Sequence, residues 1–207
     1  MEQAFWHERW RNGEIGFHQS EVNQHLIRHW SALQLAAGSE VFVPLCGKSL
    51  DMLWLLQQGY AVRGVELNPS ACESFFQEND LPVVASADER FRCFRHKQLE
   101  LLCGDVFCLT TDDLQPVRAV YDRAALVAFP EEMRSRYVQL LLEKLPPGVK
   151  VLLVTLQRPS AGGPPFTVTH GDVSELFAER FQVQCLAEET ASDRPEWRET
   201  VWLLTDR

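Results

Sequence analysis

The 207-residue chain is short of positive charge: 20 lysines and arginines stand against 29 acids, a formal net charge of −9. Proteins that grip a phosphate backbone need a basic footprint, so no nucleic-acid partner is expected. Long apolar runs are missing as well, and the opening Met1-Glu2-Gln3-Ala4-Phe5-Trp6 has no basic stretch leading into an apolar one. Neither a membrane span nor a secretory leader is expected, and the protein should be soluble and cytoplasmic. Cysteine is present but never closely paired: positions 46, 72, 93, 103, 108 and 185 lack the spacing of zinc sites. A chain of this size does not need disulfides, so these read as reduced, mostly buried thiols. Internal repeats and low-complexity tracts are absent too. What remains is a chain with 45% hydrophobic residues, enough for one globular domain with a substantial core.

Glycine is scarce where a phosphate site would need it. In Glu40 to Glu66, an apolar run (Val41–Leu45) meets the turn pair Cys46-Gly47, and Leu50, Leu53 and Trp54 then recur at helical spacing. A second β-rich run, Ala61 to Val65, ends on Glu66, where nucleotide-binding sheets place a carboxylate for ribose hydroxyls. Gly47-Lys48-Ser49 resembles the end of a P-loop, but Phe42 stands where that motif needs glycine. The dinucleotide fingerprint fails equally, since the turn offers only Gly47. A nicotinamide reductase is therefore disfavoured. A cofactor with ribose and adenine but no phosphate tolerates such a turn, and S-adenosylmethionine fits that description.

The rest of the chain reads as alternating strands and helices. Trp6 and Trp10 share a helical face that ends at Asn12-Gly13, and Val22, Leu26, Trp30 and Leu33 trace a second helix. This leader precedes the first strand, so it is expected outside the sheet or over its edge. Asn68-Pro69 starts a helix with Cys72, Phe75 and Phe76 buried, and Phe91 to Gly104 reads as a hairpin. A strand at Ala119–Tyr121 leads to a helix opened by Pro130, which should bury Met133, Tyr137, Leu140, Leu141 and Leu145. Lys150–Thr155 is an apolar strand, and the proline-rich loop from Gln157 to Val168 is a candidate lid. A short helix (Val173, Leu176, Phe177) and two strands, Phe181–Leu186 and Thr200–Thr205, close the chain as an antiparallel edge.

Several residues carry two readings. Glu66 is either an exposed strand-end acid or the ribose acceptor. Asp105-Val106-Phe107 is either an ordinary turn or an adenine-binding edge. Asp122-Arg123 is either a buried structural ion pair or a pair at the cleft where strand order reverses, and the cleft is favoured. Cys46 reads as a packing residue rather than a nucleophile, and His18 is no more than suggestive of a site. His7, His25 and His29 read as surface positions that form no metal pattern with an acid, so no metal is expected.

Trp6, Trp10, Gly16-Phe17-His18-Gln19, Val43 to Lys48, Val65-Glu66, Asp122 to Ala128 and Gly163 to Phe166 together resemble the thiopurine S-methyltransferase family in its bacterial form. The resemblance implies an α/β class I S-adenosylmethionine-dependent methyltransferase, Rossmann-like, with a seven-stranded, mainly parallel sheet and an antiparallel edge. It implies one domain, with residues 1–38 as an N-terminal helical cap over the cofactor site and 39–207 as sheet and helices. Trp10, Phe17, Leu45, Glu66, Val106, Phe107 and Arg123 would line the cofactor pocket. Arg123 would also be catalytic and, with Arg194 and Phe166, face the acceptor. The expected reaction is methyl transfer to a small aromatic or heterocyclic thiol or selenol by a monomeric enzyme. Bacterial relatives are associated with selenium and tellurium methylation, hence with selenite or tellurite detoxification. The alternative is a non-catalytic metalloid- or adenosyl-binding protein that confers resistance by sequestration.

Overall fold

The computed structural model describes residues 3–191 and 194–207. Helix α1 (Gln3–Arg11) ends at Asn12-Gly13, where Gly13 takes φ +69°. The stripe from Val22 to Leu33 does not form a single helix. The Asn23 side chain accepts hydrogen bonds from the His25 and Leu26 amides, so α2 (Gln24–His29) starts after it and leaves Val22 outside. Its last turn then tightens into a 3-10 segment, Trp30–Leu33.

Strand β1 (Glu40–Pro44), α3 (Asp51–Gln57) and β2 (Ala61–Glu66) make the expected βαβ unit, and α4 (Pro69–Glu78) follows behind its Asn68 cap. Then come β3 (Val84–Ala87), β4 (Arg92–His96), β5 (Leu99–Cys103), a 3-10 turn at Val106–Cys108, and the short α5 (Thr111–Leu114). Strand β6 (Val117–Asp122) leads through α6 (Ala125–Ala128) into α7 (Glu131–Lys144) and β7 (Lys150–Gln157). Helix α8 (His170–Phe177) precedes the ribbon of β8 (Phe181–Ala191) and β9 (Arg194–Asp206).

Among the described residues these strands form one nine-stranded sheet in the order β3-β4-β5-β2-β1-β6-β7-β9-β8. Strands β5, β2, β1, β6 and β7 run parallel, and an antiparallel pair extends each edge. The expected seven strands thus gain the hairpin arm β4 and the outermost β3. All four residues of β3 are exposed, so it carries no apolar alternation to read. The closing ribbon also runs longer than its apolar stretch, because its far ends are stitched by backbone pairing rather than by burial.

Alternation along the strands splits the core. Phe42, Val65 and Val120 face a cluster with Tyr137 and Val138 of α7 and Phe177 of α8. Val41, Val43 and Tyr121 face Leu26, Trp30 and Leu33 of the leader with Met52, Leu55, Phe75 and Phe76. The second half of the leader is therefore core, in contrast to the outside position expected for all of it. The chain leaves β1 toward β2 on one side and returns to β6 on the other, which opens a crevice at the carboxyl ends of these strands.

Asp122 ends β6 fully buried and does not pair with Arg123. Its carboxylate accepts from the Tyr137 hydroxyl at 2.8 Å and from the Ala125 and Leu126 amides at 2.9 and 3.3 Å. Burial outweighs these bonds and pushes its pKa up to about 6. The native state thus holds this proton more tightly than the unfolded chain does. The resulting stabilisation is full below the ordinary Asp range and is lost as pH rises through about 6. Relative to Asp122→Asn, the wild type should lose about 3 kcal/mol of stability across that window, at 1.36 kcal/mol per pKa unit. Urea unfolding of both proteins between pH 4 and pH 7 checks this (range set by the linkage relation); a difference that stays flat would contradict it.

Candidate functional site

The crevice opens into a cavity of about 1080 Å³. Its floor is the turn after β1. Leu45 sits there at φ +48° and Gly47 at φ +53°, and a left-handed leucine costs on the order of 1 kcal/mol. The turn is held by the Cys46 amide donating to the Val65 carbonyl at 3.0 Å. The Cys46 thiol packs against Gly64, where an added Cβ would come within 2.7 Å of its sulfur. Burial and nearby Glu66 push that thiol's pKa well up, which agrees with a packing residue and not a nucleophile.

Glu66 is buried at the end of β2, not exposed. One carboxylate oxygen accepts from the Gly47 amide at 2.9 Å and the other from the Asn68 amide at 2.8 Å. Its pKa is raised by burial and pulled back in part by the Asn68, Gly47 and Leu67 amides. The acid is thereby fixed between the β1 turn and the start of α4, facing the cavity. Asp105, the next strand-end acid, caps the 3-10 turn by accepting from the Phe107 amide at 2.9 Å. Val106 and Phe107 line the cavity beside it, with the Arg136 guanidinium 4.8 Å from the Phe107 ring.

Arg123 follows β6 with its side chain mostly buried. Its Nε lies 3.6 Å from the Asp51 carboxylate, and its guanidinium donates to the Phe17 carbonyl of the leader at 3.3 Å. Asp51 also accepts from the Asn23 amide at 2.8 Å and the Tyr121 hydroxyl at 3.0 Å. Sequence reading missed Asp51; an acid in the first turn of a helix ordinarily faces solvent. Its partners come from positions 23, 121 and 123, which no local pattern connects.

The leader forms the opposite wall. Trp6 and Trp10 pack edge-on against Phe17 at 5.8 and 5.7 Å between ring centroids, and an added Cβ at Gly47 would come within 3.3 Å of Trp10. No residue of α1 is buried. His18 lines the same cavity, its pKa lowered by partial burial and by Lys48.

The far wall carries Arg194, Trp197, Met133, Pro164 and Pro165. Arg158 and Arg194 lie over the Trp197 ring at 5.2 and 4.1 Å. Met133 packs half-buried against the core, as expected, and also lines this wall, while the adjacent Arg134 is buried. Arg134 donates to the Leu126, Phe129 and Thr167 carbonyls and so ties α7 to α6 and to the proline loop. Phe166 is not among the cavity residues: its ring packs over Gly163 and its amide donates to the Val127 carbonyl. The proline loop thus presents Pro164 and Pro165 where the sequence suggested Phe166. His25 and His29, read as surface positions, instead converge with Glu189 near this wall.

The family model described as Thiopurine S-methyltransferase matches residues 1–206. A thiopurine S-methyltransferase of Pseudomonas entomophila is 52% identical over 180 residues, covering 86% of this chain and 83% of its own length. That of Shewanella loihica is 44% identical over 208 residues, covering 98% of this chain and 95% of its own. Among solved structures, Burkholderia thailandensis 1,6-didemethyltoxoflavin-N1-methyltransferase, with bound 1,6-didemethyltoxoflavin and S-adenosylhomocysteine, has a TM-score of 0.67 at 14% identity, covering 99% of this chain and 86% of that one. A Methanosarcina mazei S-adenosylmethionine-dependent methyltransferase has a TM-score of 0.67 at 17% identity, covering 90% of this chain and 99% of that one. These likenesses show the class I methyltransferase fold.

Removing the Asp51 carboxylate strands two buried donors and a mostly buried guanidinium. Asp51→Ala should cost roughly 3 kcal/mol or more in urea unfolding, and Asp51→Asn, which keeps an acceptor, clearly less. Equal losses in the two variants would contradict the network.

Proposed function

The chain belongs to the thiopurine S-methyltransferase family and is an S-adenosylmethionine-dependent S-methyltransferase; we propose that its acceptors are small aromatic or heterocyclic thiols, with anionic selenium or tellurium compounds of similar size in scope. The observation that carries this reading is a fixed ribose-type acid, Glu66, sharing one cavity with arginines at positions 123 and 194. The donor set suits the cofactor. A buried carboxylate held by two amides offers its remaining lone pairs to hydroxyls, and the single-glycine turn asks for no pyrophosphate. When bound, S-adenosylmethionine supplies a methyl group already activated on a sulfonium.

Glu66 would accept from the ribose hydroxyls, and Val106 and Phe107 would flank the adenine. Leu45, Trp10 and Phe17 would close over the rest and exclude water. Arg123, held at its angle by Asp51, would orient the acceptor, and Arg194 with Trp197 would meet its anionic or aromatic end. In-line alignment supplies most of the rate, because attack by a thiolate develops no oxyanion and neutralises charge. No side chain needs to take a proton from an acceptor that arrives ionised. We place the whole chain in one functional unit, with residues 1–38 as its cap, acting as a cytoplasmic monomer. Six free cysteines, four of them buried, favour a reducing compartment. Among the described residues no helix is long and apolar enough to cross a membrane.

Incubation with methyl-labelled S-adenosylmethionine, with and without an aryl thiol, tests the reading. Labelled thioether and S-adenosylhomocysteine should form together. Cofactor binding without turnover across thiols, selenite and tellurite would favour sequestration instead. Glu66→Ala should weaken cofactor binding about tenfold or more by calorimetry, since charge-assisted bonds are worth roughly 1.5 to 3 kcal/mol. Arg123→Ala should lower turnover by a factor on the order of ten to a thousand through lost positioning. Deleting residues 1–17 should leave the sheet folded by circular dichroism yet abolish cofactor binding, since α1 buries nothing in the core; global unfolding of that truncation would contradict a cap.

A further inference from the structure

His25 and His29 stand one turn apart on α2, so their rings share a face, with centroids 6.3 Å apart. With Glu189 of β8 they offer one ligand atom each, all within 4.8 Å of one another. His25 is 4% exposed, and its Nε2 lies 2.9 Å from the Glu199 carboxylate of β9. An ionised carboxylate can only accept, so Nε2 is the donor in that contact. Yet His25 Nδ1 is buried without a hydrogen-bond partner, and so is His29 Nε2. Buried nitrogens of this kind are almost always satisfied, so two orphans within one His-His-Glu group mark a place for a shared partner. A carboxylate behind a ligating histidine is also the usual outer arrangement at metal centres.

We propose that His25, His29 and Glu189 bind a divalent transition-metal ion of the zinc or cobalt type, which clasps α2 to the β8–β9 ribbon. Two imidazoles and a carboxylate are a donor set that zinc accepts with a fourth position left for water or another ligand. Ligand atoms around tetrahedral zinc sit about 3.3 Å apart, given bonds of about 2.0 Å, so small rotations of the three side chains close the site. Arg28 donates to both Glu189 oxygens at 3.2 and 3.0 Å and must share that carboxylate with the metal. Arg28 and Arg198, the latter bonded to Thr190 next to Glu189, match the two carboxylates of Glu189 and Glu199, so the ion must be held by its ligands rather than by net local charge. His25 and Glu189 also line the large cavity, which puts the metal in its wall.

The full-length protein, stripped with chelator and titrated with Zn²⁺, tests this by calorimetry and metal analysis, with Co²⁺ as a spectroscopic stand-in. One equivalent should bind, raise the melting temperature, and give Co²⁺ the intense visible bands of a tetrahedral nitrogen-ligated site. His29→Ala and Glu189→Gln should each weaken binding about a hundredfold or more, and Glu199→Gln about tenfold. Both ligand variants should melt like the wild type in chelator, and alkylating the cysteines should leave binding intact. Absence of binding to the wild type overturns the proposal. So does binding that survives His29→Ala and Glu189→Gln, or that is lost on alkylation, which would place the metal on thiols.

Discussion

Asp51 is the charge around which the site is arranged. It enters α3 directly behind the β1 turn and is almost wholly buried, yet it meets three separate parts of the chain. The leader reaches it through the Asn23 amide, β6 through the Tyr121 hydroxyl, and the cavity through Arg123. A buried carboxylate is tolerated only when its lone pairs are filled and its charge is opposed. Here both conditions are met only if the leader, the sheet and the arginine are all in place. Arg123 in turn donates to the Phe17 carbonyl, so the residue that would orient the acceptor also holds the cap. On the proposed function, closure of the cap and placement of the acceptor would therefore depend on one electrostatic network.

The cavity's chemistry divides along the same line. On one side Glu66 is fixed by amides from two neighbouring loops as a rigid acceptor facing the cavity. Elsewhere in the lining Arg123 and Arg194 bring positive charge to a chain of net charge −9, with Glu189 and Glu199 also present. On the proposed function, Glu66 would take the uncharged ribose, and Arg123 with Arg194 the acceptor. Binding energy from both ends would be available for alignment at the centre, which is the main requirement of a displacement whose electrophile is already activated.

Much of this was legible in the sequence, for reasons that are local. The β1–α3–β2 unit announced itself through one apolar period changing to another across Cys46-Gly47, and Glu66 through its place at a strand end. Cys46 was read as packing, and it packs. What was hidden depends on distant partners. Asp51 looked like any first-turn acid until Asn23 and Tyr121 closed over it. His25 and His29 looked like surface histidines, because the acids beside them, Glu189 and Glu199, lie on a ribbon that pairs with the far edge of the sheet. Strand β3 buries nothing and so left no pattern. Phe166 lies in a loop whose Pro164 and Pro165 line the cavity, while its own ring covers Gly163, a placement no local pattern reveals.

On the proposed function, the protein positions an ionised acceptor and supplies no base of its own. The most direct measurement is the pH dependence of kcat/KM across a series of aryl and heterocyclic thiols of graded acidity. For each acceptor the rate should rise with the ionised fraction of the free thiol, so that the inflection moves with the thiol's own pKa. His18, the cavity histidine whose pKa burial lowers, is the nearest alternative base. An inflection that stays below the ordinary histidine range for every acceptor, and that vanishes in His18→Ala, would contradict the claim and place proton transfer on the protein.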